Sequence, residues 1–218
     1  MSLQCTTDTV RNESTVGKSI SSAKIVRVII NTGKRLFDDG DGIILSLRNM
    51  LESGGILHIL LADPSTEHVR LMADAERAYP DSGARVAPNR LQQIKDEHLA
   101  VVKSVSRLHE RFPDCVFAKK FGNNMFRSTI IMWGDVESNR DKEFAAVGKM
   151  GGCRLTPTIQ PIWSIDMPSI LATTDPNESD NDLLKKCQCH FDFIWRHPST
   201  SAIDLQQASN LRKKLYTS

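Results

Sequence analysis

Two sets of residues in this sequence have types and spacing that could do chemistry. The first is Asn31, Thr32, Gly33, Lys34 and Arg35, between the apolar run Ile25 to Ile30 and a helical pattern. Backbone amides at a strand-to-helix turn, with a lysine and an arginine beside them, suit a phosphate or carboxylate. The spacing is neither that of a Walker loop nor G-x-G-x-x-G. The plainer reading is a solvated turn that needs Gly33 for its backbone angle. The second set is Asp63 and Asp135, each closing an apolar run, with Asp38, Asp39 and Asp41 as a further acidic cluster. Ligands in open α/β sheets sit beyond the carboxyl ends of strands. There the two aspartates would be base and orienting group of an enzyme, with Lys34 and Arg35 holding phosphate. Strand-end aspartates also cap helices and fix turns.

Other reactive side chains give weaker signals. Cys5, Cys115, Cys153, Cys187 and Cys189 are an odd number in a chain too long to need staples, and they read as reduced and intracellular. Cys187 and Cys189 form C-x-C in a helical stretch, which points the thiols roughly 200° apart. Structural zinc sites want two separated pairs, so neither a metal site nor a cofactor is assigned, and Cys187 or Cys189 reads as a small buried hydrophobe. His58 shares a strand face with Ile56 and Leu60, a hydrogen-bonded core position. His68, His98 and His109 read as helix-surface groups. Trp133 and Trp195 read as core, and Trp163, beside Pro161, as a lid or interface anchor.

The elements that must hold these residues follow from periodicity. Ile25 to Ile30 and Ile56 to Leu61 are apolar runs of buried strands. Between them Ile43, Ile44, Leu47, Met50 and Leu51 fall at helical spacing, and Gly54-Gly55 ends the helix. Pro64 stops the second strand, and Ser65 or Thr66 caps a helix after it. This is a βαβ order with a right-handed crossover. Leu91, Ile94, Leu99, Val102, Val105 and Leu108 mark a long helix closed by Pro113. "CVFAKKF" and "FRSTIIMWGD" are strands, and Gly122-Asn123-Asn124 between them reads as a hairpin turn. Residues 142–165 hold a Gly-rich bend and two prolines, Pro157 and Pro161, flanking an edge segment. A helix capped by Asn181 or Asp182 runs to Pro198.

The order of these pieces, with Val28 to Phe37, Gly54-Gly55 before "ILHILLADP", the long helix Leu91 to Phe112, "STIIMWGD" and the closing Phe193-x-Trp195 helix, resembles the phospholipase D-like superfamily. The likeness is to its single-repeat modules in bacterial regulators and covers roughly residues 25 to 200. It implies a three-layer mixed sheet flanked by helices, and a homodimer, since the family commonly pairs two repeats across a shared cleft. The family's catalytic His-x-Lys-x(4)-Asp is missing: counting back from Asp135 puts Ile130 and Ser128 where lysine and histidine are required.

Composition bounds the rest. A net charge of +2, from 28 basic and 26 acidic residues, makes nucleic acid an unexpected partner without a local basic patch. "KSVSRLHER" and "NLRKKL" lack the interleaved aromatics of a single-strand platform. No window reaches the roughly 18 apolar residues of a membrane span. The expected organisation is a flexible N-terminal arm over 1–22, one α/β domain over 23–200 and a C-terminal helix or tail over 201–218, in the cytoplasm. The expected function is a non-catalytic regulatory or ligand-sensing module for a phosphorylated or nucleotide-like small molecule. The alternatives are a phosphate-ester or nucleotide-processing enzyme, hydrolase or glycosyltransferase, using Asp63 and Asp135, and a protein-interaction domain.

Overall fold

Every residue from Ile25 to Ile30 and from Ile56 to Ala62 is buried, the signature of strands covered on both faces. In a computed structural model these are β2 (Ile25–Ile30) and β3 (Ile56–Ala62), paired in parallel. The structure describes residues 3–6, 9–30, 37, 42–77, 89–122, 128–137, 141–145, 147–157, 169–173 and 182–207. Its other strands are β1 (Leu3–Thr6), β4 (Val116–Phe121), β5 (Ser128–Val136), β6 (Val147–Pro157), β7 (Ser169–Thr173) and β8 (Ser201–Ala202). The helices are α1 (Thr9–Ser22), α2 (Gly42–Glu52), α3 (Glu67–Arg77), α4 (Arg90–Arg111) and α5 (Asp182–Arg196).

All described strands join one mixed sheet in the order β1-β7-β6-β5-β2-β3-β4-β8. β2, β3 and β4 are parallel; β5, β6, β7 and β1 follow antiparallel on one side, and β8 is antiparallel on the other. Alternation along each strand divides the core. On one face Val26, Val28, Leu57, Ile59 and Ile131 meet α1, α2 and the body of α4. On the other, Ile25, Ile29, Leu60, Ile130 and Met132 meet α3, α5 and Ile94 of α4. No helix among the described residues is long and apolar enough to cross a membrane.

Two expectations are corrected. "CVFAKKF" and "FRSTIIMWGD" are not hairpin neighbours, because β2 and β3 lie between β4 and β5. β5 is buried from Ile130 to Gly134 and needs an interior place, whereas β4 alternates buried with half-buried residues and suits a place near the edge. Within 1–22, Leu3–Thr6 is a strand and Thr9–Ser22 a helix whose Val16 and Ile20 enter the core, so this segment is not a loose arm. The edge segment expected around Pro157 and Pro161 lies, beyond residue 157, outside the described residues.

Candidate functional site

Because β2, β3 and β4 are parallel, Ile30, Ala62 and Phe121 end at one edge of the sheet. Asp63 follows β3 there. Its Oδ1 accepts hydrogen bonds from the Ser65 amide at 2.9 Å and the Ser65 hydroxyl at 2.6 Å, and its Oδ2 lies 3.1 Å from Lys120 Nζ. The Thr66 hydroxyl donates to the Asp63 carbonyl at 2.9 Å. Partial burial pushes the Asp63 carboxyl up, but the Ser65 and Lys120 bonds outweigh it and hold the group below its usual range. Asp63 therefore fixes the turn from β3 through Pro64 into α3. A carboxylate with both oxygens engaged and its anion stabilised is a poor proton acceptor.

Asp135 is at the opposite edge. β5 is antiparallel to β2, with Gly134 opposite Ile25, so the carboxyl end of β5 meets the amino end of β2. Asp63 and Asp135 thus share no site, which corrects their pairing as base and orienting group. Asn31, Thr32, Gly33, Lys34 and Arg35 lie outside the described residues; Ile30 before them pairs with Leu61, at the Asp63 edge.

His98 of α4 comes close to Asp63 and Lys120 at this edge and hydrogen-bonds toward the Ala62 carbonyl. It is not the surface group its helical pattern implies: Nδ1 is buried without a partner. Burial lowers its pKa, Asp63 opposing and Lys120 reinforcing. The other end of α4 is tied to the start of β4, where His109 Nδ1 lies 3.1 Å from the Val116 carbonyl. The two turns of helix before His98 therefore project past the carboxyl ends of the strands, Arg90 by about 12 Å.

α3 packs on this projection through Val69, Ala73, Leu91 and Ile94. Between the two helices is a cavity of about 520 Å³ lined by Arg70, Ala73, Asp74, Asn89, Arg90, Leu91, Gln92 and Lys95. Carboxylates orient its guanidinium groups: Arg70 binds Glu67 and lies 3.7 Å from Asp74, and Arg90 is 3.3 Å from Glu97. Asn89 leads into α4 without a side-chain cap, and no acidic residue stands in the first helical turn. The positive end of the helix therefore faces the groove unopposed by a first-turn carboxylate.

A second polar cluster lies inside the protein, under α5. Cys153, Met132, Arg27, His58 and Phe117 are register partners across β6, β5, β2, β3 and β4, a single row on one face. Arg27 is 3% exposed; Nη2 donates to the Ala145 carbonyl at 2.9 Å, and Nη1 is 3.0 Å from Asp192 Oδ1, an ion pair out of hydrogen-bond alignment. Phe191 lies 4.8 Å from the guanidinium. His58 stacks on Trp195 at 4.8 Å, and its Nε2 is 2.7 Å from the Lys142 carbonyl. A carbonyl only accepts, so Nε2 carries the proton and Nδ1 is a bare acceptor, buried without a partner. Burial, against that bond and with help from Arg27 and Lys119, lowers the His58 pKa to about 3.

No protein-family model and no curated protein sequence matches this chain. The geometry carries the functional reading alone. No group of histidine, cysteine and carboxylate side chains among the described residues could hold a metal ion. Trp163 lies outside the described residues, Trp133 and Trp195 are in the core, and Cys187 is buried while Cys189 is exposed, as C-x-C in a helix requires. Sequence reasoning missed Arg27, Asp192 and the groove. For Arg27 the signal was present, a lone charge inside "IVRVII"; the groove joins two helices that no motif connects.

Proposed function

We propose that this chain is a non-catalytic ligand-sensing module that binds a phosphorylated or nucleotide-like small molecule between α3 and α4, beyond the carboxyl ends of β3 and β4. The observation that carries this reading is the groove of about 520 Å³ bordered by Arg70, Arg90, Lys95, Asn89 and Gln92, with Asp74 as its acidic member. Its volume is in the range of small-molecule sites, about 300–1,000 Å³. Arginine, lysine and a helix N-terminus are phosphate-binding elements. A guanidinium carries five donors, more than one carboxylate takes up. Asp74 and the two amides give partners for the hydroxyls or ring nitrogens of a nucleoside.

The non-catalytic part rests on Asp63, whose oxygens are taken by Ser65 and Lys120, and on Ser128 and Ile130 where a phospholipase D-like enzyme needs its histidine and lysine. The test is a thermal-shift screen against inorganic phosphate, nucleotides and sugar phosphates, repeated on the Arg90→Ala/Lys95→Ala variant. At a hundredfold excess over Kd a ligand adds about 2.7 kcal/mol of stability, roughly 5–10 °C in Tm. That rise should appear in the parent and fall by more than half in the folded variant. An equal rise in both would place the ligand elsewhere.

A second reading, a protein-interaction module working as a homodimer, is favoured by Phe193 and Phe144, which are 67% and 50% exposed. Light scattering would show a dimer that Phe193→Ser converts to a monomer; a monomeric parent would remove this reading.

A further inference from the structure

Helix α5 lies along the buried row and across the strands. Asp192 meets Arg27 on β2, Trp195 meets His58 on β3 and Lys119 on β4, and Gln188 donates to the Val147 carbonyl of β6 at 3.1 Å. The spacing agrees: from Trp195 back to Cys187 the helix descends about 12 Å, and from His58 back to Cys153 the sheet extends about 14 Å. Cys187 thus comes down on Cys153, and both belong to the same buried cluster. Their thiols are close enough to interact. Neither is accounted for by the ligand groove, and neither takes part in a metal cluster among the described residues.

We infer that Cys153 and Cys187 are a redox pair that closes to an intramolecular disulfide on exposure to a hydroperoxide, fastening α5 to β6. The two sulfurs are unequal. Cys187, on the helix, keeps 5% of its surface exposed, whereas Cys153, on β6, is 0% exposed. Cys187 is therefore the sulfur that peroxide reaches first, and it attacks as the thiolate. Its sulfur takes one peroxide oxygen as the O–O bond breaks; the other oxygen leaves as hydroxide and is protonated to water. Cys153 then attacks the sulfenic sulfur, the S–S bond forms, and a second water leaves with the Cys153 proton. Two thiols lose two electrons, and both peroxide oxygens are reduced to water. In a reducing compartment such a bond is transient and regulatory.

The experiment is to treat the reduced, folded protein with hydrogen peroxide, block remaining thiols with an alkylating agent, and map disulfides by mass spectrometry without reductant. The parent and Cys189→Ser should both yield the peptide pair holding Cys153 and Cys187, lighter by two hydrogens. Tm should rise by roughly 10 °C, and reductant should reverse the change. Exposed Cys189 of the parent is the internal control for peroxide action. The inference is overturned if Cys189 is oxidised while Cys153 and Cys187 are both alkylated. It is equally overturned if either pairs with another cysteine, or if the link forms only after unfolding in urea. The readout does not require a variant lacking Cys153 or Cys187 to fold.

Discussion

Replacing Asp192 with alanine separates a buried charge from its partner. Arg27 is almost fully enclosed; one guanidinium nitrogen bonds to Ala145, Nη1 faces Asp192, and Nε has no hydrogen-bond partner. Breaking a buried ion pair by removing one member costs about 3–5 kcal/mol, because the other charge stays in a poor solvent. The Asp192 side chain is 32% exposed, so water can enter where it stood. That sets the low end, about 3 kcal/mol, or roughly 6–12 °C in Tm. Arg27→Met behaves differently. It removes the charge with its solvation requirement and leaves the Ala145 carbonyl as the main unsatisfied group, which costs about 1–3 kcal/mol. Urea unfolding at pH 7, followed by tryptophan fluorescence, compares the two variants and their double mutant. The expected order has Asp192→Ala the more damaging, with Asp192→Ala adding little once Arg27 is methionine. If Asp192→Ala costs less than about 1 kcal/mol, or Arg27→Met exceeds it, the ion pair does not carry the charge of Arg27 and the reasoning fails.

The remaining predictions use other parts of the molecule. His58 has a folded pKa near 3 against 6.5 when unfolded. Below pH 6.5 the unfolded chain therefore binds the extra proton, and stability is lost as pH falls toward 3. Between pH 7 and pH 5 this amounts to about 2 kcal/mol, and unfolding curves of a folded His58→Asn variant should lack that part of the slope. Trp195→Phe keeps a ring beside His58 but removes the Nε1 donor to the Glu143 carbonyl at 3.1 Å; urea unfolding should show a loss of about 1–3 kcal/mol. A Cβ on Gly55 would stand 2.9 Å from the Met50 carbonyl oxygen and collide with the Met50 sulfur. Gly55→Ala should lower stability by about 1–3 kcal/mol in a thermal melt, and an unchanged melt would mean that α2 ends differently.

β2 and β3 were legible because an interior parallel strand is a nearly continuous apolar run, here interrupted by Arg27 and His58, and α4 because its apolar positions keep helical spacing over 22 residues. α1 was not, because Val16 and Ile20 are set among serines, threonines and asparagines that read as solvated chain. The misread β4–β5 hairpin has a related cause. Gly122-Asn123-Asn124 is a local turn signal, while pairing is decided by which strand must be covered on both sides, a property of the whole sheet. The aspartates were found as strand-end residues, but whether two strand ends face the same way depends on strand direction. Asp135 was separated from Asp63 by the antiparallel entry of β5.

The two polar regions differ in what their groups bind. Under α5, three donors from distant elements end on one short piece of backbone: Arg27 on the Ala145 carbonyl, His58 on that of Lys142, Trp195 on that of Glu143. Lys119 adds an ion pair with Glu143 at 3.0 Å while lying over the Trp195 ring. These groups seat residues 141–145 against the sheet, and a buried donor used on the chain's own carbonyl is no longer offered to a ligand. The charge and aromatic rings there, which resemble a ligand box in composition, work as a clasp holding α5 and the β5–β6 connection in place. Beyond the carboxyl ends of β3 and β4 the situation is reversed. Arg70 and Arg90 are held by carboxylates along their own helices, and with Lys95 they border an open cavity. Orientation by neighbours together with access to solvent is what a recognition site requires, and it distinguishes the α3–α4 groove from the more conspicuous cluster in the interior.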